Sequence, residues 1–151
     1  MLKGIDPLVS PELLLTLASM GHGDELVIAD RNFPAYSTNG RVHRMDGLDS
    51  TAAARAVLSL LPVDTFTDTP VARMLVVGDE ESMPAVQTDF LAVATEAAGR
   101  RFAFESLERQ AFYERARSAY AVLVTGEDRP YGCFIISKGV LPEFSPCTDG
   151  R

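Results

Sequence analysis

The fifteen residues GHGDELVIADRNFPA, Gly21 to Ala35, hold a histidine on a glycine-flanked turn, a short apolar run, and an aspartate where that run ends. Gly21 follows an apolar helical stretch, and a glycine there accepts the left-handed conformation that stops a helix. His22 is therefore expected on a tight turn instead of a helix face. Glu25 to Ala29 reads as a strand. Leu26, Val27, Ile28 and Ala29 are apolar without alternation, the pattern of a strand covered on both faces, as in a parallel sheet packed between helices. Asp30 falls at the carboxyl end, where open α/β sheets bind ligands, and Asn32 and Pro34 make the next residues a loop that can shape a pocket. His22 and Asp30 are the first candidate site residues. A plainer reading stays open for both: a histidine past a helix end complements the macrodipole, and an aspartate before a turn hydrogen-bonds its own backbone.

Outward from this stretch, Ser10 and Pro11 mark a helix start, with Leu13, Leu14, Leu17 and Met20 spaced along one face up to about Met20. Asn39-Gly40 is a turn, and Arg41 to Met45 a short strand that places His43 toward solvent. Asp49 or Ser50 caps a second helix, whose stripe Ala54, Val57, Leu58 and Leu61 ends at Pro62, and residues 62 to 70 form a connection. Val71 to Val77 reads as a strand closed by Gly78, followed by a solvated acidic loop. Pro84 opens a helix bearing Val86, Phe90, Val93 and Ala97, which Gly99 stops. Arg101 to Glu105 alternates like a strand, and Ser106 caps the helix LERQAFYERARSA. Tyr120 to Thr125 and Tyr131 to Ser137 are strands that form a hairpin or flank a crossing. About six strands alternate with four helices. The expectation is a single α/β domain over residues 1–140, its largely parallel sheet covered by helices on both faces, with an irregular tail over 141–151.

Composition narrows the function classes. The chain has 151 residues, 46% of them hydrophobic and 23% charged, which suits one globular core and excludes disordered and fibrous classes. A formal net charge of −7 argues against nucleic acid as a partner, because phosphate binding needs clustered Lys and Arg. A neutral ligand meets no such repulsion. The opening residues carry Asp6, Pro7, Pro11 and Glu12 where a leader needs an unbroken apolar run, and no later run reaches the ~18 apolar residues of a membrane span, so a soluble, cytoplasmic protein is expected. Two histidines and the two cysteines Cys133 and Cys147, at unrelated spacings, make neither a zinc site nor a disulfide framework.

Neither common glycine-rich phosphate loop occurs, there is no G-x-S-x-G elbow, and no local motif supplies His22 with a serine or cysteine nucleophile. Proton transfer remains. A histidine that titrates near neutrality, with a few groups to hold a polar ligand, is enough for it.

Three stretches together carry a resemblance: MLKGIDPLVSPELL at the start, MGHGDELVIADRNFPA, and AFYERARSAYAVLVTGEDRPYG with the later KGV. They resemble the L-fucose mutarotase branch of the family that also contains D-ribose pyranase. The match is collinear over residues 1 to about 140, strong in the first 47 and in 107 to 140, and weak between. It implies an α/β subunit in a ring-shaped homodecamer, with a monosaccharide as substrate and no metal or organic cofactor. On this resemblance His22 is the proton donor, and Asp30 and Arg109 contact the sugar. Tyr131, Gly132 and Cys133 fall on a Tyr-Gly-Asn triplet that a neighbouring subunit lends to the site. Cys133 departs from that pattern; a contact by an asparagine side chain would be lost and a backbone contact kept. Without the resemblance, Arg109 reads as a surface residue paired with Glu105 one turn earlier, and Tyr131 as strand packing. The implied activity is interconversion of the α and β anomers of a pyranose. The alternatives are D-ribose pyranase activity and a non-catalytic sugar-binding protein on the same scaffold. Leu13, Leu14, Leu15 and Leu17 give the first helix more apolar surface than one face needs, which fits an oligomer.

Overall fold

In the computed structural model, which describes residues 1–142, the chain runs α1 (Pro11–Ser19), β1 (Glu25–Ala29), α2 (Ala35–Thr38), β2 (Val42–Met45), α3 (Ser50–Leu58) and β3 (Val71–Met74). It continues through α4 (Ala85–Ala98), β4 (Phe104–Leu107), α5 (Arg109–Ser118), β5 (Ala121–Thr125) and β6 (Phe134–Ser137). The strands form one sheet in the order β2-β5-β1-β6-β3-β4. β2, β5 and β1 pair in parallel, as do β3 and β4. Only β6 runs the other way, between β1 and β3. β5 and β6 thus flank a crossing and are not a hairpin, because β1 lies between them.

Both faces of the sheet are covered, as the unbroken apolar run in β1 requires. Successive strand side chains point to opposite faces. Leu26 and Ile28 join Leu13 and Leu17 of α1, Ala53 and Val57 of α3, and Phe90 and Ala94 of α4. Val27 and Ala29 join Phe112 and Ala116 of α5 and Ala35 of α2. Within the first layer Phe90 and Phe134 stack with ring centroids 3.7 Å apart, and both are fully buried.

Several local expectations shift. α1 starts as read, with Ser10 Oγ accepting from Leu13 N–H, but it ends in an extended Met20; the left-handed residue of the turn is Gly23, not Gly21. β3 stops at Met74, and Val77 beyond it is exposed. β4 begins later than Arg101. Ser106 is one of its residues, its hydroxyl accepting from Arg73 Nε at 2.9 Å, so the cap of α5 is Glu108. A fifth helix, the single turn α2, follows Pro34. His43 does not face water: it is half-buried, with Nε2 2.8 Å from Thr16 Oγ1, and burial lowers its pKa. No helix among the described residues is long and apolar enough to cross a membrane. Cys147 and the expected tail beyond residue 142 lie outside the described residues.

Candidate functional site

At the amino end of β1, the residues before the strand are tied down on two sides. Gly21 N–H donates to Asp24 Oδ2 at 2.7 Å, Gly23 N–H donates to the Lys138 carbonyl at 2.8 Å, and Lys138 N–H donates to the Asp24 carbonyl at 2.9 Å. Gly23 has φ 83°, a conformation a side chain would disfavour. The Lys138 ammonium completes the anchorage by donating to the Met20 carbonyl, which caps the end of α1. This turn holds up His22 with its ring half exposed.

His22 Nε2 lies 3.2 Å from Oδ1 of Asp64, whose side chain is 8% exposed. The same oxygen accepts the Phe66 N–H at 3.0 Å. Asp64 is fixed in turn by its N–H to the Ser137 carbonyl, 3.0 Å, and by Arg100 Nη2, which donates to its carbonyl at 2.7 Å. Burial alone would raise the Asp64 carboxyl, but the Phe66 N–H and the His22 hydrogen bond outweigh it and hold the group below the usual carboxylate range. An ionised carboxylate only accepts, so Nε2 carries the proton and Nδ1 is the nitrogen left for exchange. The exposed Phe66 ring stands 5.0 Å from the imidazole and offers an apolar wall beside it.

The other candidate residues gather at the opposite edge of the sheet. Asp30 follows β1 and is 8% exposed; Oδ1 accepts from Asn32 N–H at 3.0 Å and Oδ2 from the Cys133 thiol at 3.4 Å. Burial, then the Asp30 charge, pushes the Cys133 thiol well up, so it stays protonated and serves as a donor. Next along the edge, Tyr131 Oη accepts from Val77 N–H at 3.1 Å, leaving its own proton free for another acceptor. Val77, Gly78, Glu80 and Glu108 line a cavity of 150 Å³ together with Arg109, the first residue of α5. Arg109 does not pair with Glu105, which is in β4 and bound to Arg115. Asp30, Cys133, Gly132, Tyr131 and Arg109 therefore follow one another over the neighbouring ends of β1, β6, β3 and β4. His22 is not among them. The five residues of β1, at about 3.3 Å each, put roughly 17 Å between it and Asp30, so the candidate residues expected around one pocket at Gly21–Ala35 fall into two separate groups.

The Thr125 to Gly132 segment is held from beneath. Thr125 Oγ1 donates to the Ala29 carbonyl at 2.9 Å, and Gly126 packs so closely on the Asp46 carbonyl that no side chain fits. Glu127 is 1% exposed and accepts from Ser50 Oγ at 2.9 Å and from Arg129 Nε at 2.8 Å, while Arg129 reaches on to Asp89. The Arg129 side chain is the main reason the Glu127 pKa drops to about 2. A Cβ on Gly132 would come within 2.9 Å of Glu127 Cγ.

Sequence reading missed Asp64 and Phe66, which sit in what read as a bare connection, and the core residue Gln87, which holds the Tyr131 backbone. No spacing signal marks them. Asp64 reaches His22 only because Val63 bridges to Lys138 at the far end of β6.

Comparisons with known proteins agree with this architecture. The chain is 47% identical over 142 residues to an L-fucose mutarotase of Haemophilus influenzae and 45% identical over 142 residues to one of Actinobacillus pleuropneumoniae, each match spanning 94% of this chain and 99% of the relative. Among solved structures, the fucose mutarotase of Streptococcus pneumoniae in complex with L-fucose superposes with a TM-score of 0.86 at 35% identity, covering 93% of this chain and 100% of that one. Residues 3–141 match the family model described as the RbsD / FucU transport protein family, and it is to this family that the chain belongs.

Proposed function

We propose that the protein is an L-fucose mutarotase, an isomerase that interconverts the α and β anomers of the pyranose. The observation that carries this reading is the His22–Asp64 pair: an exposed imidazole with one nitrogen tied to a buried carboxylate and the other free for proton exchange. In ring opening the anomeric hydroxyl loses its proton, the bond from the anomeric carbon to the ring oxygen breaks, and the ring oxygen gains a proton. Closure on the other face of the aldehyde reverses each transfer. His22 Nδ1 exchanges one of these protons, with water relaying the other; positioned proton transfer contributes about 10² to 10⁴-fold, enough for a reaction that already runs in water. Asp30 accepts from sugar hydroxyls, Arg109 and Tyr131 donate to them, and Gly132 and Cys133 shape the wall between. No cofactor takes part in this scheme.

Because His22 and the sugar-holding residues stand at opposite edges, the site is completed by a second copy, the amino edge of one subunit meeting the carboxyl edge of its neighbour. Head-to-tail contacts of this kind form a ring when the rotation between neighbours closes, which suits a decameric ring in the cytoplasm. Exchange between the anomeric proton signals of L-fucose, followed by NMR with D-ribose in parallel, tests the reading. Faster fucose exchange that is lost in His22→Gln supports it. Acceleration confined to ribose makes the protein a ribose pyranase, and binding without acceleration makes it a sugar-binding protein.

A further inference from the structure

We infer that Gln87 is a positioning residue for the sugar site, holding Tyr131 from within the core in the backbone conformation that presents its side chain; this rests on the reading of Tyr131 as a sugar contact. Tyr131 has φ 64°, and among the described residues it is the only one other than glycine with a positive φ. A tyrosine adopts that conformation only where its surroundings over-determine it.

Gln87 is fully buried in α4. Its Nε2 donates to the Tyr131 carbonyl at 3.1 Å and to the Met74 carbonyl at 2.7 Å, and its Oε1 accepts from Arg73 Nη1 at 2.7 Å. Arg73 can only donate, so the amide orientation is forced: the oxygen faces the guanidinium and both N–H groups face carbonyls. Arg73 is itself locked, by Ser82 through its carbonyl at 2.8 Å and by Ser106 Oγ at 2.9 Å. Tyr131 is thus gripped twice, at its carbonyl by Gln87 and at its hydroxyl by Val77 N–H. Both grips come from the end of β3 and the helix above it. An apolar side chain of the same length fills the same volume but offers the Tyr131 carbonyl nothing.

The test is a double-mutant cycle read by NMR anomer exchange on the full-length protein. Gln87→Met should raise KM for fucose about tenfold with kcat within about twofold, the split expected when ground-state sugar binding is lost and the proton-transfer group is untouched. Tyr131→Gly removes the contact and takes φ 64° without strain, so adding Gln87→Met to it should change KM no further. Gln87→Glu keeps the shape and the Arg73 partner, withdraws both donors, and gives the same result should the Met variant not fold. An unchanged KM in a folded Gln87 variant, or KM effects that multiply across the cycle, overturns the inference. If the wild type does not accelerate exchange, the mutarotase reading fails separately, and calorimetric fucose dissociation constants replace KM in the same cycle. No measurable fucose binding by the wild type overturns both.

Discussion

Nε2 of His22 stands 3.2 Å from Oδ1 of Asp64, an oxygen that already takes the Phe66 N–H, and this sharing settles which imidazole nitrogen keeps its proton. Asp64→Ala should lower kcat for anomer exchange by about 10 to 100-fold with KM little changed, since the ring loses both its orientation and its fixed tautomer. Asp64→Asn keeps a carbonyl oxygen for both donors, so its loss should be smaller. Ring ¹⁵N shifts of His22 check the cause: the Nε2–H form dominates in the wild type and the Asn variant, and mixed tautomers appear in the Ala variant.

Two inactive proteins should repair each other. His22→Gln spoils only the amino-edge half-site and Asp30→Asn only the carboxyl-edge half-site. Oligomers formed by refolding them together in equal amounts should recover roughly a quarter of the wild-type exchange rate, the fraction of randomly paired neighbours in which both halves are intact. Recovery at the level of either variant alone would show that each subunit carries a complete site.

Glu127 links acid stability to the loop that carries Tyr131. Its pKa falls from 4.5 to about 2 in the folded state, chiefly through the Arg129 hydrogen bond. A depressed carboxylate stabilises the fold fully above its unfolded pKa, and that contribution is lost as pH falls through the folded value. With the exposed side of Arg129 screened by water, the contribution is about 2 kcal/mol. Glu127→Gln should therefore lower Tm at neutral pH, and the gap to the wild type should close between about pH 4.5 and pH 2. Thermal melts at several pH values measure it.

The Phe90–Phe134 stack is the centre of the layer between the sheet and α4. Phe90→Ala should cost about 3 to 5 kcal/mol in urea unfolding, as other large buried aromatic truncations do. Phe66→Ala should leave the unfolding free energy unchanged within about 0.5 kcal/mol, because that residue is 75% exposed and its place is beside His22, not in the core.

Local chemistry was legible in the chain itself. Leu26 to Ala29 specify a strand buried on both faces, Ser10 and Asp49 start helices by accepting from the first-turn N–H groups of Leu13 and Ala52, and the alternation of strands and helices restricts the fold to a layered α/β domain. These features depend on residues a few positions apart. The pairing of His22 with Asp64, 42 residues away, the grip of Gln87 on Tyr131, 44 residues away, and the placement of antiparallel β6 in mid-sheet have no such signature. Nor has the fact that His22 and Asp30, eight positions apart, face opposite edges until Glu25–Ala29 is known to be fully extended between two paired neighbours. The sequence by itself determined the kind and order of every element but the single turn α2, because period and capping act over a single turn or strand. Only the tertiary structure decided which polar groups meet, because that follows from the order in which strands pair across the whole chain.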